Sequence, residues 1–541
     1  MGSSLASWID RNILALGREM RLSYLPPLMV YAAAGISGLT GIVGTFFVKD
    51  YLGLSASFLA ALGFWAGIPW ALKMPLGHLV DLIWRHKSLL VYLGATLISV
   101  SLLIMVLLIG HRGMMTAIMS AGAWYVLSVL LAPVGYVLQD AVADAMTVEA
   151  VPRVTADGHA IDAATRKLMH TTMQTLGRVA IIGGLALVAA INLYVFSGVQ
   201  QLPPEQMSGI YQRIYLAALV IPAISVAGVV AASVLKARER RRLLAQGRSR
   251  EEVDTLLGEQ GEPTSPNWWI LGGSLVFVIF TLTLGLGQIH YNQEIIFLGS
   301  FGIVAFLIRK LTGELEPDAR AVLIGTACVI FVFRAIPSPG PGVTWWMIDQ
   351  LSFDQEFLSV LKLIEGGLML AGLFVFRRFM AERSISYVVG FLTACYFVLS
   401  LPIVGMYYGL HEWTSALTGG IVDAHFIALV DTALESPLGQ VAMVPMLAWI
   451  ANSAPSNLKA TYFAVMASFT NLALSLSQLG SKYLNEAFVV TRQVTDHDSG
   501  KVQIPADYSQ LGHLLLVQLV LALALPFAAI AIVRLLRVRT A

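Results

Sequence analysis

The residues with most chemistry to offer are charged side chains set inside long apolar runs. Lys73 stands in Pro69-Trp-Ala-Leu-Lys73-Met-Pro75, and Asp140 and Asp144 in Gln139-Asp140-Ala-Val-Ala-Asp144-Ala; Arg178, Arg334, Glu365 and the pair Asp431 and Glu435 occupy four further runs. An ionisable group in hydrocarbon is costly unless paired or hydrated, so each is a functional candidate. Asp140 and Asp144 are four apart and share one helix face. With Lys73 and Arg178 they would balance charge at one depth, either as a gate network or as a site for substrate or a proton. Arg334 precedes Ala-Ile-Pro337-Ser-Pro339, where a broken helix frees backbone carbonyls. Its planar guanidinium suits a carboxylate gripped by two parallel hydrogen bonds; an ion pair with Glu365 or Asp431, or an anchor reaching the interface, are the alternatives. Burial favours a protonated carboxyl, so Asp140, Asp144, Glu365 and Asp431 are the candidates to carry a coupling proton.

Two further patterns stand out. Ser468, Asn471, Ser475, Gln478 and Lys482 recur at helical spacing and make one polar stripe, which either lines a cavity or packs helices together. Gly77, Asp81 and Arg85 lie in Gly77-His-Leu-Val-Asp81-Leu-Ile-Trp-Arg85-His-Lys87 at the end of an apolar run. There Gly77 permits close helix approach and Asp81 caps a neighbouring helix or pairs with a cation. This string resembles the Gly-x-x-x-Asp-x-x-x-Arg loop motif of the major facilitator superfamily, which implies a conformational latch. The ten histidines are scattered, and no phosphate-cradling loop appears. No catalytic set, metal or other cofactor is expected.

The elements that position these residues must be membrane helices. The 541 residues are 57% apolar and 13% charged, against roughly 25% charged in soluble domains, and mean hydropathy is +0.73. So little charge excludes a soluble enzyme, a nucleic-acid-binding protein and a disordered scaffold. It leaves an all-α polytopic membrane protein, because a helix needs about 20 apolar residues to cross a bilayer. Fourteen apolar segments are read at 25–48, 54–80, 88–110, 114–146, 172–196, 211–235, 268–288, 294–309, 319–349, 356–378, 385–408, 421–452, 459–484 and 511–536.

Charge sorts with that count. With the N-terminus in the cytoplasm, 25 of the 35 Lys and Arg residues fall on cytoplasmic stretches, seven on outward ones and three inside spans. Both termini are then cytoplasmic. Segment 1–24 lacks the long apolar core of a signal peptide. The basic linker 236–267 contains Ser249 with Glu252, a capping-box pattern that starts a short helix beside anionic headgroups. The chain therefore divides into a six-helix bundle at 25–235, the linker, an inserted transmembrane hairpin at 268–310, a second six-helix bundle at 319–536 and a tail at 537–541. Two six-helix halves around a midplane site are the plan of the major facilitator fold.

Several strings, in order along the chain, resemble the folate–biopterin transporter family of that superfamily. They are Lys49-Asp-Tyr-Leu-Gly-Leu-Ser55 with Pro69-Trp70 and Lys73; Asp140-x-x-x-Asp144 with Glu149; Ala335-Ile-Pro-Ser338 with Leu351-Ser-Phe-Asp-Gln-Glu-Phe-Leu358; Gly420-Ile-Val-Asp423 with Asp431, Gln440 and Met443-Val-Pro445; and Pro455 with Ala460-Thr-Tyr-Phe-Ala464 and Asn471. Where the family has Gly-x-Glu-Gly-Thr, this chain has Asn457-Leu-Lys459-Ala-Thr461. The resemblance implies a monomeric secondary transporter in a bacterial inner membrane, moving a small folate- or pterin-like anion by alternating access with protons. Arg334, Lys73, Arg178, Gln440 and Asn471 are then the substrate-binding candidates. The Gln139-to-Ala145 string is also similar to muropeptide permeases. A non-transporting relative that delivers a cofactor or assembles a membrane complex is the remaining alternative.

Overall fold

The structure, a computed structural model, describes residues 15–541 apart from 53, 72, 153–160, 198–203, 258–267, 287–289, 314–315, 377–378, 380–382, 440, 442–458, 496–501, 537–539 and 541. Among the described residues the regular structure is helical except for one small β-hairpin. It begins with α1 (Leu25–Gly35), which carries prolines in its first turn, where a missing N–H costs nothing. A 3-10 turn joins it to α2 (Gly41–Tyr51). Segment 54–80 is helical as α3 (Ala56–Ala71) and α4 (Lys73–Leu82), with residue 72 between them outside the described residues. Pro69 and Pro75 have no N–H to give the Trp65 and Ala71 carbonyls.

Then come α5 (Ser88–Gly110), α6 (Ala121–Ala150), α7 (Ala163–Phe196), α8 (Pro204–Ala218) and α9 (Val220–Ala245). α6 starts seven residues later than the apolar run suggests, because the Ser120 hydroxyl accepts from Ala123 N–H and caps it there. α9 continues well into the basic linker. As its pattern predicts, Ser249 caps the short helix Arg250–Leu256 by accepting from Glu252 N–H at 3.1 Å. The hairpin is α10 (Trp268–Leu286) and α11 (Asn292–Thr312). The remaining body is α12 (Pro317–Arg334), α13 (Gly342–Leu351), α14 (Gln355–Val375), α15 (Ile385–Tyr407), α16 (Ala424–Glu435), α17 (Lys459–Ala487) and α18 (Leu511–Leu535). Between α17 and α18, β1 (Val494–Thr495) and β2 (Val502–Ile504) pair antiparallel.

Among the described residues, nine helices are long and apolar enough to cross a membrane. Helix covers at least part of the other five expected segments, in α3 with α4, α10, α12 with α13, α16 and α17. The helices before 246 pack chiefly on one another, α5 on α6 and α1 on α7 and α9; those after 316 do the same, α18 on α12 and α15. The two sets meet along two seams, α3–α17 and α7–α14. At the second, a Cβ on Gly366 would lie 3.0 Å from the Ala186 backbone, so only glycine allows this approach.

The break at 335–341 is tied down. The Ile336 carbonyl accepts from Ser477 at 2.6 Å, the Pro337 carbonyl from Gln518 at 3.2 Å and the Pro339 carbonyl from Asn485 at 3.2 Å. Ser338 N–H donates to the Ser481 hydroxyl at 2.8 Å. The carbonyls that proline frees are thus held by α17 and α18. Replacing Gln518 with leucine strands a buried acceptor, which costs about 1–3 kcal/mol. A lower melting temperature in detergent by scanning fluorimetry is the expected result.

Candidate functional site

Lys73 stands in the first turn of α4, facing α6. Its ammonium lies 2.5 Å from Asp140 and 2.7 Å from Asp144, the two carboxylates one helical turn apart. Tyr31 on α1 donates to the other oxygen of Asp144 at 2.7 Å. Lys73 and Asp140 are mostly buried, whereas the Asp144 side chain is 42% exposed and forms the open edge of the cluster. Arg178 on α7 lies within electrostatic range of both Asp140 and Tyr31. The expected assembly of two cations with two carboxylates is therefore present. Lys73 spends its donors on both acids. Arg178 is half-buried and has no hydrogen bond or ion pair among the described residues. With both carboxylates ionised the triad carries one net negative charge, which Arg178 balances; its guanidinium, with no hydrogen bond spent, can still grip an anion.

The other candidates lie elsewhere. Arg334, at the end of α12, donates through Nε to the Thr470 carbonyl on α17 at 3.2 Å. The next residue, Asn471, donates to the Trp70 carbonyl at the end of α3 at 3.1 Å. Two neighbouring residues of α17 thus engage both helix sets, α12 at Arg334 and α3 at Trp70. Glu365 pairs with Lys362 at 2.7 Å, and both lie in the electrostatic field of Glu435. Asp431, one turn before Glu435, is buried, and one of its oxygens has no hydrogen-bond partner. Two separate acidic groups result, one at α4–α6 and one at α14–α16. Gln440 lies outside the described residues.

The polar stripe of α17 packs against neighbouring helices. Beyond Asn471, a Cβ on Gly63 of α3 would stand 2.7 Å from the Gln478 amide oxygen, so the Gln478 side chain lies directly against α3. Lys482 pairs with Glu294 of α11 at 3.2 Å.

The loop after α4 needs one correction. A Cβ on Gly77 would meet no atom within 4 Å, so Gly77 does not serve close helix approach in this conformation. The side chain of Asp81 lies outside the described residues, and Arg85 sits in a 3-10 turn at Trp84–His86. The contact from this loop to α6 runs through Lys87, 2.8 Å from Glu149, which Lys236 of α9 also approaches at 4.0 Å. Burial lowers the Lys87 pKa, and the Glu149 carboxylate works against that shift. Tyr31 and Glu149 are the members that residue spacing did not single out for a role. Tyr31 meets Asp144 across 113 residues, a separation that no local pattern spans.

The face where α1 begins and α18 finishes is the near face; the opposite, far face is closed. Arg492, in the loop before β1, is buried, donates to the Leu54 carbonyl at 2.9 Å and to the Val48 carbonyl, and lies 4.6 Å from the Trp345 ring centroid. Gln355 of α14 donates to Tyr211 of α8 at 3.0 Å, a second tie between the helix sets. A cavity of about 450 Å³ opens between α7 and α14, lined by Leu176, Val179, Gly367, Leu370, Ala371 and Phe374, with Gly17 at its rim. It offers an apolar wall on the helix that carries Arg178.

The model of the BT1 family matches residues 34–538. The folate-biopterin transporter of Synechocystis sp. is 23% identical over 478 residues, 87% of this chain and 76% of that protein. The fold is shared with solved transporters. A POT family transporter in complex with 5-aminolevulinic acid superposes with a TM-score of 0.59 at 10% identity, covering 95% of this chain and 96% of its own. The peptide transporter POT in complex with sulfate gives 0.57 at 16% identity, covering 95% of each chain.

Proposed function

The chain belongs to the BT1 family, and we propose that it is a proton-coupled secondary transporter of a small, folate- or pterin-like organic anion. That it is an integral membrane transporter of the major facilitator fold, and no enzyme, follows from the family and the architecture; the substrate class, the coupling and the mechanism are our reading. The single observation that carries it is Arg178, a cation with no hydrogen bond or ion pair among the described residues, beside the Lys73–Asp140–Asp144 group and on the helix that walls the apolar cavity. An anion with a flat ring needs both a guanidinium and an apolar surface. The name of the Synechocystis relative supports the same class.

The helix sets at 25–235 and 319–536 move about the α3–α17 and α7–α14 seams to expose the site to each side in turn. Arg334 holds the end of α12 to α17, and Asn471 holds α3 to it. Protons ride on a carboxylate of one of the two acidic groups, Asp140 and Asp144 or Glu365 and Asp431. The near face, rich in Lys and Arg, is cytoplasmic, in a bacterial inner membrane, and the carrier works as a monomer.

Uptake of labelled folate and pterin into proteoliposomes tests this reading. Accumulation driven by an inward proton gradient and abolished by a protonophore is the expected result. Absence of solute flux under every imposed gradient would overturn it.

A further inference from the structure

The inserted hairpin has contacts that suit a moving part better than a spacer. Its helix α11 is fixed to the second helix set. Phe301 stacks edge-on against Phe331 of α12 at 5.5 Å, and Phe331 in turn lies 4.8 Å from Phe469 of α17. At the far end of α11, Glu294 pairs with Lys482 at 3.2 Å and also accepts from Tyr483. The adjacent residue reaches the other set. Gln293 is 5% exposed and donates to the Ala61 carbonyl of α3 at 3.2 Å. Below it, Ile296 of α11 is wholly buried in one apolar cluster with Phe64 of α3 and Leu472 of α17.

Two neighbouring residues of the hairpin therefore hold one helix set each, across the α3–α17 seam and at its far end. We propose that the far tip of α11 is a clasp: anchored on α17 through Glu294, it grips α3 through Gln293 and keeps the far face closed. The asymmetry of the contacts sets what moves. The ion pair and the aromatic stack tie α11 to α17, so α11 travels with the second set. The amide-to-carbonyl bond to α3, whose carbonyl already belongs to a helix, and the apolar contact beneath it carry no ion pair and are the parts that let go. The hairpin thereby acts on the balance between conformations rather than on the ligand, through its different contacts in the two states.

The clasp rests on the alternating-access reading, but its test measures distance and needs no substrate, so a failed clasp is distinguishable from a failed transport assay. Spin labels at Met114→Cys and Val489→Cys, both exposed on far-face loops of the two sets, report the opening in full-length protein in nanodiscs. Cys328 and Cys395 are first replaced by serine. Pulsed dipolar spectroscopy should find one short distance in the parent. Gln293→Leu should raise the longer-distance population about tenfold. Lys482→Met, which leaves the hairpin untouched, should move it the same way, and the exchange Glu294→Lys with Lys482→Glu should return most of the short distance. An unchanged distribution in both single variants overturns the clasp, as does opening by Lys482→Met that the exchange fails to reverse.

Discussion

Replacing Lys73 with methionine is expected to lower both thermal stability and uptake. The substitution keeps the apolar stem and removes the charge that two carboxylates share at 2.5 and 2.7 Å. Asp140 and Asp144 then face each other, one turn apart, without their nearest counter-charge. Breaking a buried pair from one side costs about 3–5 kcal/mol, and the exposed edge at Asp144 places this case at the lower end. In a two-state cycle, about 3 kcal/mol against the conformation that assembles the cluster shifts its population roughly 100-fold. Initial uptake rates should fall accordingly, with a lower melting temperature by scanning fluorimetry. The double variant Lys73→Met, Asp140→Asn separates structure from function. Removing one negative charge relieves the mismatch and should recover most of the melting temperature. If the cluster must form and dissolve during transport, uptake stays low. Recovery of uptake along with stability would instead make the triad a static brace.

Much of this arrangement is legible in the sequence because it depends on local spacing. The four-residue interval of Asp140 and Asp144 puts both on one face of α6, and the charge of the apolar runs singles out Lys73 and Arg178 as their counterparts. Pro337 and Pro339 mark the break that separates α12 from α13. The spacing of Ser468, Asn471, Ser475, Gln478 and Lys482 identifies a polar face of α17, yet what that face meets depends on partners far away in the chain: Trp70 is 401 residues from Asn471. Arg334 illustrates the same limit. Its place before the prolines marks a helix end, while its partner, the Thr470 carbonyl, is a backbone atom that carries no residue signature. Arg492 reads in sequence as one outward cation among seven, and only tertiary packing makes it a buried tie between helix sets. Local pattern reveals which faces carry charge; folding decides which charges are already spent.

That distinction drives the second large expectation, for Arg178. Of the three cations inside apolar runs, Lys73 is held by two carboxylates and Arg334 is engaged by a carbonyl. Arg178 alone has no hydrogen-bond or ion-pair partner among the described residues, so its removal should cost little in folding and much in binding. Hydrogen bonds to a charged group contribute about 1.5–3 kcal/mol, so Arg178→Ala should raise the substrate Kd by roughly 10- to 100-fold. The melting temperature of the unliganded protein should stay close to that of the parent. Arg178→Lys is the informative intermediate. It restores the positive charge beside Asp140 but not the planar fork, so a carboxylate held by two parallel hydrogen bonds would regain only part of its affinity. The stabilisation of purified protein by saturating ligand should fall in the same order, parent above lysine above alanine. Full recovery by lysine would mean that Arg178 acts as a point charge that attracts the anion into the cavity. Unchanged affinity in both variants would remove Arg178 from the binding site and leave the exposed edge at Asp144 as the next place to look.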